Sequence, residues 1–135
     1  MAIEAHPITA TLGAEVTGVD LARVSDDELE TIRKLWLEHK VLVVRDQPIS
    51  VEEHIAFGRR FGELEVHPFA TGREGYPEIV KIKSNAENQY AANVWHSDVT
   101  WRQEPSMGSI LRGVVIPPAG GDTVFADAGA AYFRL

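Results

Sequence analysis

The sequence contains no cysteine among its 135 residues. This absence excludes disulfides, thiolate metal sites and a thiol nucleophile, so histidine, aspartate and glutamate remain as the metal ligands to consider. The sequence also lacks an apolar run of about 18 residues, which a membrane-spanning helix needs. Its first residues have neither the basic start nor the apolar stretch of a signal peptide. We therefore expect a cytoplasmic protein that does not associate with membranes.

Positive charge is scarce as well, with 13 lysine and arginine residues against 20 aspartate and glutamate residues and a net charge of −7. This excess of acidic residues argues against nucleic acids and anionic membranes as partners, because both attract basic surfaces. The length and the 44% content of hydrophobic residues are typical of one soluble domain. We accordingly expect residues 1–135 to form a single domain.

Local patterns predict a mixture of helices and short strands. Ser25 with Glu28, and Ser50 with Glu53, form capping boxes that predict helices to about His39 and to Gly62. Leu29, Ile32, Trp36 and Leu37 are spaced as one apolar face of the first helix, and Asp127 is typical of the N-cap of a third. Strands are predicted at 9–12, 15–19, 41–44 (buried on both faces), 78–83, 109–116 and 123–125, with a loop at 84–93. This order favours an α+β architecture, a mostly β fold with packed helices.

The segment that carries chemistry is Trp-His-Ser-Asp-Val-Thr-Trp at residues 95–101. In extended backbone, residues i and i+2 point to the same face, so His96 and Asp98 can present an imidazole nitrogen and a carboxylate oxygen to one cation. A carboxylate and two histidines form the facial triad that holds Fe(II) and leaves further positions open. His-x-Asp alone is also compatible with a surface histidine and a turn or capping aspartate.

The surrounding motifs reduce this ambiguity. Residues 94–127 contain Trp-His-Ser-Asp-x-Thr-Trp, then Pro105, Gly-Ser-Ile-Leu at 108–111, Pro-Pro-x-Gly-Gly-Asp-Thr at 117–123 and Phe125. Further motifs lie upstream at 13–21, 39–45 and 57–63. In this order they resemble the taurine/2,4-D dioxygenase family of Fe(II)- and 2-oxoglutarate-dependent oxygenases, over about residues 8–132. The resemblance implies an enzyme that uses Fe(II), 2-oxoglutarate and O2 to hydroxylate a small molecule.

The resemblance also implies roles for individual residues. His96 and Asp98 match the first two iron ligands, and no catalytic residue beyond the metal ligands is implied. Thr123 matches the residue whose hydroxyl meets the distal carboxylate of 2-oxoglutarate, although a plain strand threonine is the alternative. His67 matches a histidine that contacts the sulfonate of taurine, or is simply a loop histidine beside a proline. Asn93 lies next to a position where taurine-specific members have a substrate-binding asparagine.

Two departures from the taurine-specific pattern bear on the substrate. Ala70 replaces a tyrosine and Ala92 replaces that asparagine, and a pocket that loses polar partners discriminates poorly for its substrate. We therefore do not expect taurine itself, and the substrate class stays open among small organic acids, sulfonates and sulfate esters. Trp95 and Trp101 flank the metal motif, and we expect them to pack around the site or to line the substrate pocket.

The implied fold is a double-stranded β-helix, or jelly roll, which needs eight strands. The 135 residues supply too few strands, so we expect an incomplete jelly roll with exposed apolar surface, low solubility or homo-oligomer formation. The family's distal iron-binding histidine and 2-oxoglutarate-binding arginine are also missing, since no histidine follows His96 and none of Arg102, Arg112 and Arg134 lies in the family's distal context. We therefore expect the N-terminal portion of a dioxygenase; a non-catalytic metal- or ligand-binding module of the same fold, or an unrelated β-rich domain, are the alternatives.

Overall fold

The computed structural model describes residues 2–68, 72–83 and 94–135. It divides into two compact units, one made of Met1–Arg60 with Val114–Leu135, and the other of Phe61–Gly113. The first unit contains three strands, β1 (Glu4–Pro7), β2 (Ala14–Thr17) and β3 (Leu42–Val43), and three helices, α1 (Asp26–His39), α2 (Val51–Arg59) and α3 (Ala128–Tyr132). The second contains β4 (Gly72–Arg73) and β5 (Tyr76–Val80).

A three-stranded sheet opens the first unit, in the order β1, β2, β3. Strand β2 pairs antiparallel with β1 and parallel with β3, with Pro7 opposite Ala14 and Ala14 beside Leu42. Strand β2 overlaps the strand predicted at 15–19, but the prediction of a strand at 9–12 was wrong, and β2 pairs with β1 instead. Residues 9–12 form a turn, because the Thr9 hydroxyl accepts a hydrogen bond from the Leu12 N–H at 3.0 Å and donates to the Leu12 carbonyl at 2.6 Å.

Both capping boxes predicted from the sequence are formed. Ser25 is the N-cap of α1 and Ser50 that of α2, and each hydroxyl accepts from the backbone N–H of the glutamate three residues later. That glutamate accepts in return from the N-cap backbone, at 2.8 Å for Glu28 and 2.6 Å for Glu53. Hydrogen bonds from the Ser25 backbone and hydroxyl hold the pKa of Glu28 below its ordinary value.

The apolar core lies in the first unit, between its sheet and helices. Leu29 and Ile32 contribute from α1, as the helical spacing predicted, whereas Leu37 is 77% exposed and Trp36 only half-buried. The run 41–44 is also half-buried, so the prediction of a strand covered on both faces was wrong. The core residues are Ala14, Val16, Val24, Leu29, Ile32, Ile49, Ile55 and Phe57.

Helix α3 is held to the end of α1 by an ion pair. Asp127 is its N-cap, as predicted, and its carboxylate accepts from the Ala130 N–H at 3.0 Å. The second carboxylate oxygen lies 3.2 Å from Lys40 Nζ. The Ala130 amide and the Lys40 ammonium group both hold the pKa of Asp127 below its ordinary value.

The later predicted strands do not all form. β5 overlaps the prediction at 78–83, but residues 109–116 and 123–125 have no strand structure and are exposed. An apolar, β-branched run becomes a strand only when a neighbour completes its hydrogen-bond ladder, and these segments pair with none of the residues that the structure describes. Val114, Val115 and Ile116 consequently expose 81%, 87% and 75% of their surface. The loop predicted at 84–93 lies outside the described residues.

The α+β mixture predicted from the sequence is therefore present, although helical residues outnumber strand residues in the described part and no closed barrel is formed there. The expected exposure of apolar surface is confirmed, whereas oligomer formation stays a prediction. Across the described ranges, no helix combines the length and the apolar character needed to cross a bilayer.

Candidate metal site

The structure brings His96 and Asp98 together in the second unit. The backbone has no regular secondary structure at 95–97 and forms a turn at 98–100. His96 Nε2 lies 3.3 Å from Asp98 Oδ1, and the two side chains are 54% and 65% exposed. The same-face arrangement expected of an i, i+2 pair is thus present, with both groups accessible from solvent.

A hydrogen bond on the far side of the imidazole favours one tautomer. His96 Nδ1 lies 2.9 Å from the Val94 carbonyl oxygen, which can only accept, so Nδ1 carries a proton. Nε2, the other ring nitrogen, is the one that lies 3.3 Å from Asp98 Oδ1. A metal ion that accepts one nitrogen and one oxygen donor could bind these two atoms together.

The separation of the two atoms suits a metal ion. Ligands about 2.1 Å from a first-row divalent ion and at right angles to each other are about 3 Å apart, close to the observed 3.3 Å. An imidazole nitrogen and a carboxylate oxygen are donors that iron accepts. Among the described residues, no group of three histidine, aspartate or glutamate side chains converges on one point, so this pair provides two ligands only.

The turn that carries Asp98 is strained. Val99 has φ of +46°, in the left-handed region that β-branched residues rarely occupy. The turn is closed by the Arg102 N–H, which donates to the Val99 carbonyl at 3.1 Å. Ser109 adds a long contact of 3.4 Å from its hydroxyl to Asp98 Oδ2, the carboxylate oxygen that does not face His96.

An ion pair joins this turn to the segment that follows α2. Arg102 NH2 lies 2.8 Å from Glu65 Oε1, and the Ser106 hydroxyl donates to the other Glu65 oxygen. The Arg102 guanidinium also stands 5.0 Å over the Trp101 ring. Sequence reasoning missed Glu65, because this residue is far from the motif in the chain. It also missed the strain at Val99, because a valine in the sequence does not indicate its backbone angle.

Thr123 belongs to the first unit and is exposed on irregular backbone. It follows Gly120 and Gly121, which have φ of +75° and +74°. These angles require glycine, and a Cβ at Gly121 would also come within 3.3 Å of the Pro117 ring. The motif around Thr123 thus forms a tight turn that leaves its hydroxyl accessible.

The remaining predicted site residues are placed only in part. His67 is half-buried on irregular backbone in the second unit. Asn93 lies outside the described residues, as do Ala70 and Ala92. Trp95 and Trp101 are 72% and 63% exposed, so the packing role predicted for them is not seen in the described part of the chain.

Comparison with known proteins identifies the family. A protein-family model described as taurine catabolism dioxygenase TauD, TfdA family, matches residues 4–135. The chain belongs to this family. A crystal structure from Burkholderia xenovorans, of a protein assigned as an alpha-ketoglutarate-dependent taurine dioxygenase, is similar with a TM-score of 0.87 and 41% identity, over 99% of this chain and 48% of that one.

Two curated relatives within the TauD/TfdA family show its range of substrates. An (S)-phenoxypropionate/alpha-ketoglutarate-dioxygenase from Sphingobium herbicidovorans is 36% identical over 99% of this chain and 48% of its own length. An alpha-ketoglutarate-dependent sulfate ester dioxygenase from Pseudomonas putida is also 36% identical, over 98% of this chain and 44% of its own. The chain therefore spans about half the length of the curated relatives it matches.

Proposed function

We propose that the protein acts as an Fe(II)- and 2-oxoglutarate-dependent dioxygenase on a small organic acid, sulfonate or sulfate ester. Membership of the TauD/TfdA family supports the reaction class. The observation that carries the assignment of the site is the convergence of His96 Nε2 and Asp98 Oδ1 at 3.3 Å, with the imidazole proton engaged by Val94. We further propose the cytoplasm as its location, since a site of imidazole and carboxylate suits Fe(II) in a reducing compartment.

In this proposal His96 and Asp98 hold Fe(II). The bound metal and 2-oxoglutarate together supply the oxidising chemistry, in which O2 and 2-oxoglutarate are consumed, succinate and CO2 form, and one oxygen atom enters the substrate as a hydroxyl. The Val94 carbonyl fixes the His96 ring so that Nε2 faces the cation. The Thr123 hydroxyl donates to the distal carboxylate of 2-oxoglutarate.

A complete site needs groups that these residues do not provide. The third ligand and the arginine that pairs with 2-oxoglutarate are expected of the family, and no histidine follows His96 in the sequence. We propose that both come from outside the 135 residues. For the substrate, His67 and Asn93 are the proposed contacts, with alanines at 70 and 92 favouring a substrate other than taurine.

A second function remains a candidate because the described residues provide only two converging ligands. In that alternative, the chain is a non-catalytic metal- or ligand-binding module of the same fold. The two differ in turnover: the dioxygenase releases succinate in step with O2 uptake when all ligands are present, and the binding module never does.

The site assignment is tested by removing each ligand. His96→Ala and Asp98→Ala should each abolish residue-specific binding of Fe(II), or of Mn(II) as its probe, because one remaining donor holds the ion too weakly. Paramagnetic broadening of NMR signals from residues 94–100 measures this binding. His6→Ala, which removes an exposed imidazole elsewhere, is the matched control and should leave the broadening unchanged. Broadening that survives either ligand substitution would overturn the assignment.

A further inference from the structure

Glu65 is a partly buried acidic residue that contacts the segment following Asp98. No sequence motif marks it. Its side chain is 19% exposed, and that of Arg102 is 36% exposed. One carboxylate oxygen meets the Arg102 guanidinium at 2.8 Å and the other accepts from the Ser106 hydroxyl. We call these three residues the Glu65 clamp.

Glu65 and Arg102 form an ion pair rather than a well-aligned hydrogen bond. Glu65 Oε1 is buried and has no well-aligned hydrogen-bond donor among the residues that the structure describes. The positive guanidinium is therefore what balances this buried oxygen. Removing either charge leaves the other poorly compensated, which disrupts a local structure more than loss of an exposed ion pair would.

The Glu65 clamp contacts a turn whose backbone is strained. Val99 is held at a φ of +46°, and the Arg102 N–H that closes this turn belongs to the clamp's own arginine. A valine in the left-handed region is strained and persists only when its surroundings impose it. Asp98 directly precedes Val99, so the direction of its carboxylate depends on whether the turn is kept.

We infer that Glu65, acting through Arg102 and Ser106, is a positioning residue for Asp98 and His96. It holds the 98–102 turn in the conformation that brings Asp98 Oδ1 to His96 Nε2. The inference rests on the proposed function, because it assigns Glu65 to the proposed metal site. It does not make Glu65 a ligand, since its oxygens are occupied by Arg102 and Ser106.

The test measures metal binding and the metal-free turn separately. Mn(II) is titrated into the labelled 135-residue chain, and broadening of the His96 signals gives the dissociation constant at this site. Glu65→Gln keeps the size of the side chain and removes its charge. It should weaken Mn(II) binding about tenfold, as loss of groups that orient ligands commonly does. In the metal-free protein, it should also accelerate hydrogen exchange of the Arg102 amide several-fold.

Glu63→Gln is the matched control, because it removes one acidic charge from an exposed residue of the same segment. It should change the dissociation constant less than twofold. Ser106→Ala, at an exposed position, is a milder variant that tests the clamp if Glu65→Gln prevents folding. It should weaken binding two- to threefold.

The outcomes separate the two proposals. If the unsubstituted chain shows no broadening at His96, the proposed metal site fails, and this inference fails with it. If His96 is broadened normally but both clamp variants behave like Glu63→Gln, the metal site stands and the positioning role of Glu65 is refuted. Faster exchange at Arg102 together with weaker binding in either clamp variant supports the role.

Discussion

At the scale of single residues, the proposed metal site depends on which atom each side chain would present to the cation. The sequence places His96 and Asp98 two residues apart, but only the structure shows the hydrogen bond between His96 Nδ1 and the Val94 carbonyl and the positive φ of Val99. Neither partner is recognisable from its residue type. The sequence predicted the two candidate ligands, whose role stays a prediction, but it gave no signal for the groups beside them.

Thr123→Ala should weaken binding of 2-oxoglutarate to the Mn(II)-loaded protein by about tenfold, because the distal carboxylate loses one hydrogen bond to a charged group. Thr123→Ser keeps the hydroxyl and should bind nearly as well as the unsubstituted protein. Isothermal titration calorimetry with 2-oxoglutarate measures the affinity. Thr31→Ala, an exposed helical threonine, is the control. Equal affinities for the alanine and serine variants would return Thr123 to a structural role.

At the scale of elements, local chemistry decided the helices and failed for several strands. The capping boxes at Ser25 and Ser50 contain their own hydrogen-bond partners within one turn, so the helix starts were predictable to the residue. A strand has no such internal partner. Residues 109–116 have the composition of a strand but no pairing strand among the described residues. Residues 9–12 form a turn instead of a strand, because the Thr9 side chain hydrogen-bonds to the Leu12 backbone.

Ser50→Ala should lower the free energy of unfolding by about 1 kcal/mol, the usual loss when a helix N-cap is removed. Ser50 is exposed, so the change removes the hydrogen bond to the Glu53 amide, 3.1 Å long, with little effect on packing. Urea denaturation followed by circular dichroism gives the difference. Ser50→Asp, which retains a capping oxygen, should be nearly as stable as the unsubstituted chain. A loss as large in Ser50→Asp would show that the hydroxyl is not acting as a cap.

At the scale of the whole molecule, each unit carries a different part of the proposed function. The core and Thr123 belong to the first unit, and His96 with Asp98 and the Glu65 clamp to the second. Val114, Val115 and Ile116 are exposed, as expected, whereas the incomplete jelly roll stays a prediction. The expectation that residues 1–135 form a single domain stays a prediction.

The ion pair between Asp127 and Lys40 should make stability depend on pH at the acidic end. Because the folded pKa of Asp127 is lowered, its contribution is fully present above its unfolded pKa of about 3.9 and is lost as pH falls through the lower folded value. Thermal melting between pH 7 and 2 should therefore fall less steeply for Asp127→Asn than for the unsubstituted chain below about pH 4. Asp122→Asn, at an exposed acidic residue nearby, is the control and should follow the unsubstituted profile. Identical profiles for all three proteins would contradict the assigned pKa shift.

The sequence by itself determined the family, the two capped helices and the identity of the proposed metal ligands. The capped helices follow from spacings within a few residues, where chain connectivity alone keeps the interacting groups close, and the family and its ligand positions follow from the order of motifs along the chain. Only the tertiary structure decided that Glu65 meets Arg102, that Lys40 meets Asp127 and which apolar runs remain exposed. Such contacts join residues far apart in the chain, and their free energy depends on burial and on charges that no local pattern contains.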